Sequence, residues 1–271
     1  MEKDKTQGES RNKRELVVHY RAGEGREVED VLAGEEPLQI TVDGHPVAVV
    51  MRTPGVDEEL VRGFLKTEGL VRELSEVARI DTDFKDNHAL VFLADGVVFD
   101  AARLSRNLFS ASSCGICGTA SIEALQKDYP PVEGSLVVSA EALLTLPDQM
   151  REAQRAFEAT GGIHAAALIS AEGRCLVVRE DVGRHNAIDK VIGWALCQDL
   201  AFEDLILQVS GRVSFEVMQK ALAVGLSFIS AISAPSSLAV QFARVNNQTL
   251  VGFLRPPNFN VYSCPERILE K

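Results

Sequence analysis

The chain has 271 residues, of which 46% are hydrophobic and 25% are charged, a composition that is typical of a globular protein and excludes a collagen, a coiled coil and a fully disordered chain. Its net charge of −11 repels the phosphates of nucleic acid, so nucleic-acid binding is not expected. The five cysteines are odd in number and scattered, the N-terminus has no apolar signal segment, and no apolar run is long enough to span a membrane, so we expect a cytoplasmic protein that does not bind a membrane.

The N-terminal part of the chain predicts a short tail followed by a hairpin. Residues 1–14 are polar and charged and are expected to be disordered. Two apolar runs, 38–42 and 47–51, flank an Asp-Gly turn dipeptide at 43–44, which predicts an antiparallel hairpin. We assign this hairpin to a small α+β domain over residues 15–110.

A helix and a second hairpin are predicted to complete this domain. Residues 57–70 place apolar side chains at helical spacing, and Gly69 is suited to end the helix. Another Asp-Gly dipeptide, at 95–96, lies between apolar runs at 89–93 and 97–99. The same turn chemistry therefore predicts a second hairpin here.

Cys114 and Cys117 form a Cys-x-x-Cys pair within a stretch of small residues that has neither helical nor strand periodicity. We predict that residues 111–139 comprise a mobile loop that carries the pair and a linking helix at 119–127. Such a loop would make both thiols accessible.

Four interpretations of this cysteine pair compete. Buried cysteines would act as small apolar residues, but the polar, glycine-rich surroundings argue against a core position. Structural zinc needs four ligands, and no second Cys or His pair follows at a suitable spacing. A dithiol redox motif and a persulfide sulfur relay both remain, because they use the same exchange chemistry. Arg103 and Arg106 precede the pair and would favour the thiolate that either reaction needs.

From residue 140 onward strands alternate with helices, which predicts an α/β domain over residues 140–271 with a largely parallel sheet. Strands are predicted at 165–170, 175–178, 205–209, 228–232, 249–254 and 259–262, and helices at 146–159, 187–196 and 215–224, with a further helix starting at Pro235.

Polar segments follow two of these strands. Segment 180–186 contains Arg184 and precedes a helix, and segment 210–212 contains Arg212, each arginine next to a glycine. Arg255 follows a third strand. Ligands in open α/β sheets bind at the carboxyl ends of strands, and a helix N-terminus with a nearby cation favours an anion. The pattern therefore predicts a site for a phosphate-bearing ligand, against the alternative of ordinary helix caps and solvated turns.

His164 invites comparison with the histidine of zinc deaminases. Zinc deaminases carry His-x-Glu followed by a downstream Cys-x-x-Cys. Here Ala166 stands where the glutamate would be, and the Cys-x-x-Cys lies upstream. Deaminase chemistry is not supported, and His164 is left either as a packed or as a ligand-facing residue.

Several motifs in the correct order resemble the formate dehydrogenase accessory sulfurtransferase family, FdhD/NarQ. They lie at 35–38, 51–55, 113–118, 160–167, 180–190, 210–212, 233–235, 252–255 and 260–262. Together they run from about residue 35 to the C-terminus.

The resemblance implies a fold and a function. The fold would be α/β, with a C-terminal domain similar to cytidine deaminase and a smaller N-terminal α+β domain. Family members take sulfur from a cysteine desulfurase and deliver it to molybdenum bis(molybdopterin guanine dinucleotide), the cofactor of formate dehydrogenase. Cys114 would carry the persulfide and Cys117 would assist. The protein would be a homodimeric sulfurtransferase without a resident cofactor or metal. The residues expected to contact the molybdenum cofactor are Phe253, Leu254, Arg255, Pro256, Pro257, Asn258, Arg184, His185, Asn186, Ser210, Gly211 and Arg212.

Two other functions stay open on the sequence. A dithiol–disulfide oxidoreductase would use the same cysteine pair without a cofactor-binding face. A chaperone would hold the molybdenum cofactor for insertion without any sulfur chemistry, and would not need Cys114.

Overall fold

The computed structural model describes residues 12–99 and 129–270, and the fold is reported for these two stretches. Within them the chain forms four β-sheets and six α-helices. The predicted loop with Cys114 and Cys117 and the predicted helix at 119–127 lie outside the described residues. In the two described stretches no helix is both long and apolar enough to cross a membrane.

The first two strands form a ribbon that pairs with no other strand in the described part of the chain. Strands β1 (Asn12–Arg21) and β2 (Glu24–Ala33) are antiparallel along their whole length. β1 begins two residues before the predicted end of the tail. Val18 and Tyr20 lie on one face of β1 and remain 55% and 71% exposed.

A four-stranded sheet with one helix follows. Its strands are β3 (Glu36–Val42), β4 (His45–Arg52), β5 (Val77–Asp81) and β6 (His88–Leu93), in the order β4-β3-β6-β5. Helix α1 (Asp57–Thr67) covers one face of this sheet with its apolar side. The first predicted hairpin, β3–β4, and the predicted helix are confirmed.

The second predicted hairpin is wrong. Residues 95–96 do form a turn, but residues 97–99 form no strand. β6 instead pairs antiparallel with β5 and parallel with β3. Strand β5 was missed because its sequence, Val-Ala-Arg-Ile-Asp, has no clean alternation of apolar and polar residues.

A six-stranded mixed sheet dominates the C-terminal part, in the order β13-β12-β11-β10-β8-β9. Only β10, β11 and β12 are parallel neighbours. Strand β8 lies antiparallel beside β10, and β13 forms an antiparallel hairpin with β12. The prediction of a largely parallel sheet is therefore wrong. The six strands are β8 (His164–Ser170), β9 (Cys175–Asp181), β10 (Leu205–Val209), β11 (Phe228–Ala231), β12 (Thr249–Arg255) and β13 (Asn258–Ser263).

A small parallel pair lies beside this sheet, formed by β7 (Val138–Ser139) and β14 (Ile268–Leu269). The helix predicted at 146–159 is in fact two helices, α2 (Ala140–Ala153) and α3 (Arg155–Thr160), separated at Gln154. The buried backbone there leaves the helical path, which the apolar pattern does not reveal.

Three more helices cover the other face of the sheet. They are α4 (Arg184–Cys197), α5 (Phe215–Leu222) and α6 (Ser237–Val245). Helix α6 starts after Pro235 rather than at it, because the Ser236 side chain accepts a hydrogen bond from Ala239 N and acts as the cap. Alternate strand residues point to opposite faces, so the sheet has an apolar core on each side, and the α/β class is confirmed.

Helices α1 and α4 join the N-terminal and C-terminal sheets by close backbone contact. A Cβ added to Gly63 would lie 1.9 Å from the carbonyl oxygen of Asp189, and one added to Gly193 would lie 1.8 Å from that of Glu59. Only glycine leaves room for this crossing. Arg179 of β9 also donates two hydrogen bonds of 2.6 and 2.8 Å to the Glu59 carboxylate. The crossing therefore fixes the position of β9 and of the loop that follows it.

Candidate functional site

The polar segments that the sequence singled out lie together at one end of the six-stranded sheet, where strands β9 to β12 finish. This end is called the sheet edge below. β9 and β10 are both antiparallel to β8 and so run in the same direction, and β11 and β12 are parallel to β10. The loops at 182–183, 210–214, 232–236 and 256–257 therefore all leave the sheet at this edge. The structure brings the three predicted segments together, while their role as cofactor ligands stays a prediction.

Gly211 lies at the centre of this edge, between two basic side chains. A Cβ at this position would lie 3.2 Å from His164 Nδ1 and 3.7 Å from Arg184 Cδ. The missing side chain leaves the space in which the imidazole and the arginine approach each other. His164 is the first residue of β8, so the structure places it on the ligand-facing edge rather than in the middle of the sheet.

Ser210 joins the two strands beneath these side chains. Its Oγ accepts a hydrogen bond from Ala165 N at 2.9 Å, and its own N–H donates to Ala165 O at 2.9 Å. Ser210 therefore holds the start of β8, and with it His164, against the end of β10. Ser210 therefore positions its neighbours at the edge, because its hydrogen-bonding groups are used by Ala165.

Arg184 begins helix α4 and carries an unsatisfied donor. Its Nε is buried and has no hydrogen-bond partner among the residues that the structure describes. A buried guanidinium N–H without an acceptor is costly, and an anion is the acceptor that best offsets that cost. The helix N-terminus contributes partial positive charge at the same place. The arrangement fits a phosphate or another anionic group.

A second polar group surrounds His185. Its Nε2 lies 3.5 Å from Ser214 Oγ and 3.4 Å from a carboxylate oxygen of Glu216, and Ser214 Oγ donates to the same carboxylate at 2.9 Å. Burial by itself raises the pKa of Glu216, but the hydrogen bond and charge of His185 outweigh burial and hold it below its usual range. Glu216 is therefore an ionised carboxylate that orients the imidazole.

His164 has the opposite electrostatic environment. Burial lowers its pKa below 6.5, and the charges of Arg184 and His185 lower it further, while Asp181 acts in the other direction. His164 is accordingly neutral at neutral pH. Two imidazoles at one edge thus differ in their surroundings, one beside cations and one beside a carboxylate.

The side chain of Asn186 is used inside the protein. Its Nδ2 donates to Met51 O at 2.7 Å and to Asp181 Oδ1 at 3.0 Å. Asp181 in turn pairs with the Lys190 ammonium at 2.6 Å and accepts from Thr53 N at 3.1 Å. This network ties the end of β4 to the start of α4. The predicted contact of Asn186 with a cofactor gains no support from its amide group.

The hairpin between β12 and β13 forms the far end of the edge. Phe253 is 42% exposed, and its backbone N–H donates to Ser233 O at 3.1 Å. Arg255 donates from Nε to Ile232 O at 3.1 Å, which leaves the outer guanidinium nitrogens directed to the surface. Leu254 is fully buried in the core, so only its backbone faces this region. The remaining predicted residues, Pro256, Pro257, Asn258 and Arg212, are exposed, and the Pro256–Pro257 bond is cis.

Ser214 and Glu216 were missed by the sequence reasoning. They follow the predicted segment 210–212 directly and lie at the cap and in the first turn of α5. A serine and a glutamate at these positions are common in helix caps, so their pattern alone indicates no function. Ser214 is 29 positions from His185 in the chain, and the two side chains meet only because the sheet brings together the ends of the strands that precede them.

The fold and the edge define a class first: an α/β protein whose sheet edge collects arginine and histidine side chains suited to an anionic ligand. The family follows from comparison with known proteins. The model of the FdhD/NarQ family matches residues 33–269, so the chain belongs to the FdhD/NarQ family, and the predicted resemblance is confirmed.

Relatives over nearly the whole chain agree. A protein of Mycolicibacterium paratuberculosis named sulfur carrier protein FdhD is 46% identical over 266 residues, which cover 94% of this chain and 98% of that protein. One of Streptomyces avermitilis with the same name is 45% identical and covers 94% and 95%. The crystal structure of a formate dehydrogenase accessory protein from Desulfotalea psychrophila superimposes with a TM-score of 0.76 at 24% identity, over 95% of this chain and 99% of that chain, and it shares the fold.

Proposed function

We propose that this protein is a sulfur carrier that receives sulfur as a persulfide on Cys114 and delivers it, with the help of Cys117, to the molybdenum bis(molybdopterin guanine dinucleotide) cofactor required by formate dehydrogenase. The observation that carries the proposal is the 46% identity over 94% of the chain to a protein named sulfur carrier protein. Family membership over residues 33–269 includes the cysteine pair.

The proposed sulfur chemistry consists of two thiol exchange steps. The Cys114 thiolate attacks the outer sulfur of a desulfurase persulfide, which gives the Cys114 persulfide and the desulfurase thiolate. The Cys117 thiolate then attacks the inner sulfur of that persulfide. The Cys114–Cys117 disulfide forms, the outer sulfur leaves as hydrosulfide, and a later reduction by an external thiol restores the dithiol. Both steps depend on positioning and on thiolate character.

The sheet edge supports the substrate half of the proposal. A bis(guanine dinucleotide) cofactor is a long anion with aromatic bases at its ends. Arg184 offers a buried N–H without an acceptor in the described residues, and Arg212 and Arg255 add two exposed cations. The exposed ring of Phe253 offers a face on which a base can stack. The cofactor is the substrate that receives sulfur and is not a resident group.

The partners follow from the same proposal. A cysteine desulfurase would donate the sulfur, and the catalytic subunit of formate dehydrogenase would receive the completed cofactor. A cytoplasmic location is part of the same proposal. The homodimer is part of the proposal and rests on the family resemblance. Its test is the mass of the protein in solution, where a single-chain mass at working concentration would contradict it.

The first experiment is intact mass spectrometry after incubation with a cysteine desulfurase and L-cysteine. Wild-type protein is expected to gain one sulfur atom that a thiol reductant removes. Cys114→Ala should abolish the gain, and Cys197→Ala is the matched control because Cys197 is an exposed thiol on α4, away from the sheet edge.

Each other outcome points to a different function. A loss of two hydrogens in the wild type, together with no sulfur gain in Cys117→Ala, which cannot form the disulfide, would replace the carrier by a dithiol–disulfide oxidoreductase. Activation of formate dehydrogenase by Cys114→Ala at the wild-type level would replace it by a cofactor chaperone. A sulfur gain that persists in Cys114→Ala and disappears in Cys117→Ala would exchange the roles of the two cysteines.

A further inference from the structure

The two ends of the sheet edge differ in chemistry. At the β12 end, Phe253 and Arg255 present an exposed ring and an exposed cation. At the β8–β10 end, His164, His185 and Glu216 form a half-buried group of titratable side chains. β10 and β12 are separated by one strand, so the ends lie about 10 Å apart across the sheet. One extended substrate can contact both ends with different parts.

The β8–β10 end is not built for anion binding alone. Glu216 is an ionised carboxylate placed 3.4 Å from His185 Nε2, and a negative charge at that position weakens a phosphate site. A carboxylate that orients an imidazole, as Glu216 does through its contact and through Ser214, is instead the arrangement of a proton-transferring histidine. Cofactor binding alone does not explain why His185 and Glu216 are paired.

The proposed reaction needs one proton at this stage. The carrier releases sulfur as hydrosulfide, and the cofactor metal must exchange an oxygen ligand for it. The balanced step is M=O + HS⁻ + H⁺ → M=S + H2O, in which the metal keeps its oxidation state. Hydrosulfide brings one proton, and the second must come from an acid beside the leaving oxygen.

We propose that His185, oriented by Glu216 and Ser214, is the acid that protonates the oxygen leaving the metal, and that Arg184 and His164 hold this oxygen at the β8–β10 end of the edge. This inference rests on the proposed function. The imidazole that transfers the proton is the catalytic residue, and Glu216 is a positioning residue that acts through it. The titratable and charged groups that face His185 are Glu216 on α5 and His164 at the start of β8, and Arg184 precedes it on α4.

The test uses the full-length protein, loaded with sulfur by a desulfurase, the molybdenum cofactor that still carries oxygen in place of sulfur, and cofactor-free formate dehydrogenase as the receiver. His185→Gln is expected to lower the initial rate of activation about a hundredfold, the lower range of general acid catalysis. Sulfur loading, measured by mass, should equal the wild type. His19→Gln is the matched control, because His19 is exposed on the β1–β2 ribbon.

A pH profile separates catalysis from structural damage. A general acid donates only in its protonated form, so the wild-type rate should fall as pH rises, whereas the residual rate of His185→Gln should not show this fall. Glu216→Gln should lower the rate less than His185→Gln does and should keep the fall with pH, because the imidazole remains but has lost the carboxylate that orients it. A wild-type rate and profile in His185→Gln would overturn the inference. A wild-type protein that gains no sulfur would instead overturn the proposed function itself.

Discussion

Helix α4 carries charged residues in two surroundings, at its buried second turn and at its N-terminus. In the inner cluster, Lys220 donates hydrogen bonds to both carboxylate oxygens of Asp189 at 2.9 and 3.0 Å, to Glu68 at 2.8 Å and to Thr67 at 2.9 Å. The edge cluster consists of His164, Arg184, His185, Ser214 and Glu216. The contacts of His185 within it, at 3.4 and 3.5 Å, are longer than those of Lys220, and Arg184 Nε has no acceptor within the two described stretches.

The pKa directions show the same difference. Burial raises the pKa of Asp189, with Lys220 opposing it. Burial alone would lower the pKa of Lys220, but Asp189 and Glu68 reverse that effect and raise it, so the ammonium stays charged. Two members of this cluster also act on Tyr129: burial and then Glu68 raise its pKa to about 12, and Lys220 acts in the opposite direction. The inner charges therefore balance one another and serve the fold.

The edge cluster lacks this mutual balance, and for this reason we take it as the candidate site. His164 is kept neutral by burial and by neighbouring cations, while Glu216 is kept ionised beside His185. Environments that separate the titration of neighbouring groups are typical of sites that move protons. Helix α4 contributes to both clusters, so charge alone does not distinguish a structural cluster from a candidate site. Within the described residues, an unpaired donor at an accessible edge makes that distinction.

The largest expected effect comes from breaking the inner cluster. Lys220→Met removes the cation that donates to Asp189 and Glu68 in the buried inner cluster, and should lower the free energy of unfolding by about 3–5 kcal/mol. Urea unfolding followed by circular dichroism measures this change. Lys85→Met, at an exposed position, is the control and should stay within about 0.5 kcal/mol of wild type. Equal stabilities for the two variants would show that the inner cluster contributes nothing to the fold.

A smaller loss is expected at the helix crossing. Gly63→Ala places a methyl group 1.9 Å from the Asp189 carbonyl oxygen, so α1 and α4 must separate, and stability should fall by about 1–3 kcal/mol. Gly162→Ala is the matched control, because its nearest atom lies 3.8 Å away. Unfolding midpoints that coincide would mean that the helices can part without cost and that the crossing does not hold the two sheets together.

The smallest effect is a change in the pH dependence of stability at the edge cluster. His164 has a folded pKa below 6.5, so as pH falls below 6.5 the unfolded chain takes up a proton before the folded chain does, and stability decreases. His164→Gln removes this contribution and should flatten the decrease over the measured range from pH 6.5 down to 4.5. The lowered pKa of Glu216 acts in the same direction below 4.5, outside this window.

Urea unfolding across that pH range provides the measurement, with His19→Gln as the control that should keep the wild-type slope. The prediction fails if His164→Gln follows the wild-type curve. In that case His164 would titrate as it does in the unfolded chain, and the description of the edge as two unlike histidines would need to be abandoned.

Much of the secondary structure followed from local pattern. The hairpin β3–β4, helix α1 and strand β10 were predicted because turn chemistry and apolar spacing agreed there. β5 and the break at Gln154 were not, because a weak strand is recruited by its neighbours in the sheet and a helix break depends on what packs against it. Helix α4 begins at Arg184, before the predicted start at residue 187, on residues whose polar side chains hide the helical pattern.

The sequence by itself determined the family, the cysteine pair at 114 and 117, the α/β class and the loops that carry Arg184, Arg212 and Arg255. Only the tertiary structure decided that β8 runs antiparallel beside β10 and brings His164 to the edge, and that Glu216 meets His185 there. The physical reason is the separation of the interacting residues along the chain. Turns, helices and motifs are set by residues close together in the sequence. The pairing of Glu216 with His185 and the separate surroundings of His164 arise only when distant strands lie side by side.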